Sequence, residues 1–171
     1  SKYINYGWTD TKGSSAVKYE LNSEFTVTGD IDFYIVRRTA LQVNFKTNTG
    51  ASNSKFTRLN QKVGKGLTVT MPQVPVKTGY QSLGWSKSKK ASKADYKAGQ
   101  NVTISKTLTL YAVYKKLPYT VTFNNNNGTS TSKIYTSLTM YASKNQKVTL
   151  PDVPKVKGYT NLGWTTVKGE T

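Results

Sequence analysis

Two absences limit the chemistry available to this sequence: it contains no histidine and no cysteine. Acid–base work would fall to its eight carboxylates, or to lysine and tyrosine. Thiol catalysis, disulfides and cysteine-based zinc sites are excluded. The carboxylates Asp10, Glu20, Glu24, Asp30, Asp32, Asp95, Asp152 and Glu170 form no recurring pair. Asp30 and Asp32 share the phrase "GDID", but two acids fall short of the roughly six to eight oxygens that calcium takes. No glycine-rich phosphate loop or nucleophile elbow occurs. The expectation is a chain with no catalytic residue, no cofactor and no metal.

Lysine is the plentiful reactive type. Lysine and arginine total 25 against 8 acids, a formal charge of +17, which favours encounter with anions. The densest stretch, "SKSKKASKADYK" (86–97), places Lys87, Lys89, Lys90, Lys93 and Lys97 in one loop beside Tyr96. Such a loop could grip teichoic acid, a sulfated glycan or nucleic acid, with charge supplying affinity and little sequence selectivity. The matching stretch "TDTKGSSAVKYE" near the N-terminus is not basic, so a solvated loop is the leading reading. An intramolecular Lys–Asn isopeptide would need a buried lysine, an asparagine and a nearby acid, and no such triplet recurs.

The elements that position these residues are repeated. Each of the three tryptophans ends a Tyr-x-x-apolar-Gly-Trp phrase: "YINYGW" with Tyr3 and Trp8, "YQSLGW" with Tyr80 and Trp85, and "YTNLGW" with Tyr159 and Trp164. Residues 3–38 match 80–115 at an offset of 77, and 41–80 match 119–159 at 78 to 79. One repeat is therefore about 78 residues. On this phase residues 1–38 are a trailing half, 39–116 a complete unit and 117–171 a leading half. The shifted phase would make units of 2–78 and 79–157. Matched positions are apolar, aromatic, Gly or Pro, and the charges do not match: Lys87, Lys93 and Lys97 fall on Asp10, Ala16 and Glu20. What recurs is what builds a core. Tyr3, Trp8, Tyr80, Trp85, Tyr111, Tyr159 and Trp164 are the expected repeat core.

Within a unit the pattern is that of strands. "LQVNFKT" sets Leu41, Val43 and Phe45 on one face, and "YTVTFNN" repeats this with Tyr119, Val121 and Phe123. Turns follow at 48–50 and at Asn124–Gly128, whose Asn-Gly suits positive φ. "GLTVTMP" and "KVTLP" read as strands stopped by Pro72 and Pro151. A Pro-x-x-Pro connector then leads into a Gly-Trp strand, and "NVTIS" and "TLTLYAVYKK" close the unit, the latter covered on both faces. Residues 53–64 and their counterpart read as hairpin or irregular, with room for one helical turn. The expected fold is mostly β, with less than about a fifth helix. With 36% hydrophobic residues but 12 Tyr, 5 Phe and 3 Trp, its core is thin and tyrosine-rich. No apolar run is long enough to span a membrane. "SKYINYGW" lacks the apolar region of a signal peptide, so the chain reads as an excised segment or a mature product.

On these residues the unit resembles the Listeria–Bacteroides repeat, the internalin-type B-repeat family of bacterial surface proteins. The resemblance rests on Val121-Thr122-Phe123, on Gly79-Tyr80 with Gly84-Trp85, and on Thr109-Leu110-Tyr111-Ala112. Tyr114 stands where that pattern closes on Trp. The resemblance implies small β-grasp-like modules strung in tandem on cell-wall-anchored or secreted proteins of Gram-positive bacteria, as a spacer or adhesive stalk. It carries no catalytic residues. The partners to expect are an anionic cell-wall polymer, a host glycan or protein, and head-to-tail self-association through the incomplete terminal halves.

Overall fold

The computed structural model describes residues 1–126 and 132–169. Strand makes up 34% of the described residues and helix 5%, so the fold is mostly β, as the period-two alternation predicts. Contacts divide it into two compact units. One comprises Ser1–Pro75 and Ser82–Val113, the other Val76–Gln81 and Tyr114–Thr171.

In chain order the elements begin with β1 (Tyr3–Thr9), β2 (Tyr19–Glu20), β3 (Tyr34–Lys46), α1 (Ser54–Thr57), β4 (Gln61–Gly64) and β5 (Thr68–Thr70). They continue with β6 (Tyr80–Ser86), β7 (Asn101–Thr103), β8 (Leu108–Lys116), β9 (Tyr119–Val121), α2 (Lys133–Thr136) and β10 (Met140–Ala142). A six-stranded sheet runs β2-β1-β3-β8-β6, with β4 also on β3. The pairs β5–β7 and β9–β10 each form a two-stranded sheet.

β3 organises the first unit. Over Tyr34–Thr39 it pairs antiparallel with β1, and over Ala40–Val43 antiparallel with β4. From Val43 it runs parallel to β8, with Phe45 opposite Leu110. Parallel strands need a long crossover, here supplied by α1 through β7. Val36, Val43 and Phe45 point into the core, while Leu110, Ala112 and Val113 bury both faces of β8. The largest fully buried side chains are Trp85, Phe45, Met71, Ile104, Leu110, Val36, Val43 and Val113. Each contributes about 1.5–3 kcal/mol relative to exposure.

The ambiguous stretches resolve as single helical turns. Asn53 caps α1 by accepting from Lys55 N and turns Phe56 inward. Ser132 caps α2 in the same way, accepting from Ile134 N. The turn at 48–50 forms around Gly50 (φ 91), whose N–H donates to Thr47 O at 3.0 Å. The expected turn at Asn124–Gly128 lies partly outside the described residues.

Two strand expectations need correction. "KVTLP" (147–151) and the Gly-Trp segment 158–164 adopt no strand. In the first unit their counterparts are held by partners: β5 pairs with β7, and β6 lies beside β8. The second unit has no such partner strands among its described residues. Period-two patterning supplies a face to bury, whereas the ladder needs a neighbour to bond.

Candidate functional site

The Gly-Trp phrase builds a clamp in the first unit. Gly84 sits at φ 135, and a Cβ there would lie 2.2 Å from Tyr96 O, so glycine lets the two backbones meet. Trp85 N then donates to Tyr96 O at 2.8 Å, and Tyr96 N donates back to Trp85 O at 3.0 Å. The Trp85 indole is fully buried, donating Nε1–H to Pro72 O at 2.8 Å. Its ring meets Phe45 at 4.6 Å and Phe56 at 6.1 Å, both edge-on, an arrangement aromatic quadrupoles favour.

The indole contacts of the clamp recur in the second unit, without the close backbone approach, since a Cβ at Gly163 would meet nothing within 4 Å. Trp164 Nε1–H donates to Pro151 O at 2.7 Å. Its ring meets Phe123 at 4.8 Å and Tyr135 at 6.4 Å. Tyr135 thus stands where Phe56 does. Strand pairing is lost around this copy while the packing of indole, proline carbonyl and two aromatics persists.

The seven residues expected as a repeat core do not share one environment. Trp85 is enclosed, and Tyr80, Tyr111 and Trp164 are half-buried. Tyr3, Trp8 and Tyr159 are 45%, 38% and 79% exposed, which corrects the uniform expectation. The physical reason is coverage: Phe45, Phe56 and Pro72 all reach Trp85 from residues 41–75. In residues 1–33, Tyr19, Phe25 and Phe33 instead pack edge-on against one another, with centroids 5.1–5.3 Å apart.

The five lysines of the 86–97 loop do not converge. The Lys89 side chain lies over Gly50, with Nζ 5.9 Å from the Tyr111 ring. Lys90 takes φ 55 and donates its N–H to Asn48 O at 2.9 Å. Lys93 and Lys97 are exposed, and Lys97 N is held by Gln100 Oε1 at 3.0 Å. Lys87 has its Nζ 5.3 Å from the Tyr96 ring centre, and the Tyr96 hydroxyl raises its pKa by hydrogen bonding. Asp95 closes the loop, its Oδ2 accepting from Lys87 N at 2.7 Å and Ser86 Oγ at 2.9 Å. Those two donors, the Lys87 amide first, pull its pKa below the ordinary carboxylate value.

Lys87 reaches a small open cavity of about 140 Å³, lined also by Tyr96, Thr103, Ser105, Lys106 and Leu108. Sequence reasoning missed Lys106. It lies in the β7–β8 turn, and no spacing signal links it to Lys87; the Trp85–Tyr96 bridge and the strand order bring the two together. Within residues 1–38 the position matching Lys87 is Asp10, which pairs with Lys18 and accepts from the Tyr19 hydroxyl at 3.1 Å. The Lys18 hydrogen bond is the main cause of the lowered Asp10 pKa. Among the described residues no group of three or more acids could hold a metal, and no helix is long and apolar enough to cross a membrane.

The sequence profile of the Listeria-Bacteroides repeat domain matches residues 42–113 and 119–171. Two curated relatives come from Evansella cellulosilytica. One, named "Putative membrane protein", is 29% identical over 123 residues, 71% of this chain and 16% of its own length. The other, named "Putative Gly-rich membrane protein", is 26% identical over 165 residues, 95% of this chain and 18% of its own. The chain thus spans less than a fifth of either relative. No solved structure matches it.

Proposed function

Because the chain belongs to the Listeria-Bacteroides repeat family, a repeat family of surface proteins, we propose that it is a non-enzymatic spacer or adhesive stalk segment displayed outside the cell. The observation that carries this reading is the recurring clamp. Trp85 with Pro72, Phe45 and Phe56 has the geometry of Trp164 with Pro151, Phe123 and Tyr135. Charges near the two clamps differ at several positions, Lys55, Arg58 and Lys87 falling on Ile134, Ser137 and Thr166. A repeated catalytic or charge-reading centre would keep its polar groups and let the packing drift, the reverse of this pattern. Repeat arrays bury a core unit by unit, and an aromatic locked to a proline carbonyl is a fastening suited to that task.

Pulling the chain by residues 1 and 171 in a single-molecule force experiment tests the mechanical role. The expected trace shows a discrete unfolding event for the first unit, at a force lowered by Trp85→Ala. Continuous extension without such an event would reject it. A second reading, recognition of an anionic polymer, is favoured by one specific feature, the pairing of Lys87 with Lys106 at a cavity.

A further inference from the structure

The cavity between the end of β6 and the β7–β8 turn combines groups that suit one small anion. Lys87 and Lys106 bring two ammonium-bearing side chains and Tyr96, Thr103 and Ser105 three hydroxyl-bearing ones, with Leu108 as an apolar wall; Thr103 Oγ1 also lies 3.5 Å from Thr68 Oγ1. At about 140 Å³ the space is well below the roughly 300–1,000 Å³ of pockets that enclose whole small molecules. It has room for one charged group and the edge of what carries it. The nearby acid is already engaged: Asp95 Oδ2 holds Ser86 Oγ and the Lys87 amide.

The molecule also contains its own contrast. Matched at the offset of 77, Lys87 and Lys106 fall on Asp10 and Gly29. Tyr96, Thr103, Ser105 and Leu108 fall on Tyr19, Thr26, Thr28 and Ile31. The hydroxyl-bearing and apolar positions keep their chemistry while the charge changes from −1 to +2, a difference of three. At the first position the tyrosine hydroxyl serves a carboxylate already paired with Lys18. At the second it stands beside lysines for which no ion pair is recorded among the described residues.

We propose that this cavity receives a single tetrahedral oxyanion, a phosphate or sulfate group, carried on a surface polymer whose remainder lies across the exposed β7–β8 turn. The site is private to one position in the chain, so it adds a specific attachment point to whatever the repeated packing does. Its test is independent of the mechanical one.

The test is an amide NMR titration of the whole 171-residue chain at low, matched ionic strength. The probes are inorganic phosphate, inorganic sulfate, a glycerol-phosphate oligomer, a sulfated oligosaccharide and single-stranded DNA. Phosphate or sulfate should shift Lys87 and residues 103–108 together, saturating in the millimolar range, whereas acetate should not. Lys87→Gln and Lys106→Gln should each weaken binding about two- to fivefold, as loss of one exposed ion pair implies, and the pair together should abolish the local shifts. Lys93→Gln and Lys97→Gln, which remove the same net charge from the neighbouring loop, should leave them unchanged. Both cavity lysines are exposed, and unchanged Trp85 emission confirms the fold. A polymer arm that inherits the Lys87/Lys106 dependence identifies the carrier, polyol phosphate or sulfated sugar. Shifts spread over all lysines, or equal losses in all four variants, would overturn the proposal. So would DNA being the sole polymer bound, or neither polymer arm depending on the two cavity lysines.

Discussion

Trp85 shows how much one residue holds. It is fully buried, its backbone is bonded in both directions to Tyr96, and its indole is tied to Pro72 O. Trp85→Ala should cost about 3–5 kcal/mol, the range for large aromatics removed from cores. Trp8→Ala, at a position 38% exposed, should cost far less, and chemical denaturation of the two variants reads the difference. The sequence presents these tryptophans as equivalents, and nothing in the shared phrase separates them. What differs is the covering set from residues 41–75, which is remote in sequence from Trp8. Asp95 offers a second test. Its folded pKa is depressed by the Lys87 amide and the Ser86 hydroxyl. A depressed carboxylate contributes stability above its unfolded value, about 3.9, and loses it as pH falls through the lower folded value. The melting temperature of Asp95→Asn should therefore lie below that of the parent at pH 5 to 7, the gap narrowing as pH falls below the unfolded value of about 3.9. A gap constant down to pH 2 would mean that the carboxylate charge plays no part.

Elements follow partners more than patterns. The alternation at 41–46 and 108–113 made β3 and β8 legible, and Pro72 marked where β5 gives way to the connector. The joining of β1 to the first half of β3 was not legible, nor was the parallel pairing of β3 with β8. Those depend on contacts 25 to 36 residues apart in the first case and 65 in the second, as between Val43 and Leu108, which no local period encodes. The same blindness hid Lys106 from the candidate site. It also made 147–151 and 158–164 look like strands, because those stretches carry a strand's residues without a strand's neighbours. Hydrogen exchange should expose the distinction. Amides of Leu110–Val113, in a strand bonded on both sides, should exchange with protection approaching that of global unfolding. Amides of 147–164 should exchange through local opening at much lower free energy. Comparable protection in both stretches would show that patterning alone sustains the second.

On the scale of the whole molecule, the buried material is unevenly shared. The first unit holds all eight of the largest fully enclosed side chains. Among the described residues the second has Phe123 and Ala142 as its buried apolar side chains, with Leu150, Tyr159 and Leu162 exposed by 54%, 79% and 91%. Stability is a small remainder between burial and chain entropy. A unit that buries less apolar surface per ordered residue should therefore unfold first, and one two-state transition should not describe the chain. The three tryptophans make this measurable, because Trp85 reports the first unit and Trp164 the second. With Trp8 and Trp164 replaced by Phe, emission should hold to high denaturant and then shift sharply as Trp85 is exposed. With Trp8 and Trp85 replaced, the Trp164 signal should change at lower denaturant and with a shallower slope, since the slope scales with the surface exposed. Removing Trp85 weakens the first unit itself. The comparison is therefore made again in the Trp8→Phe background with both reporters present, where two steps should appear. A single coincident transition there would mean that the units unfold as one, and that the division seen in the contacts carries no energetic boundary.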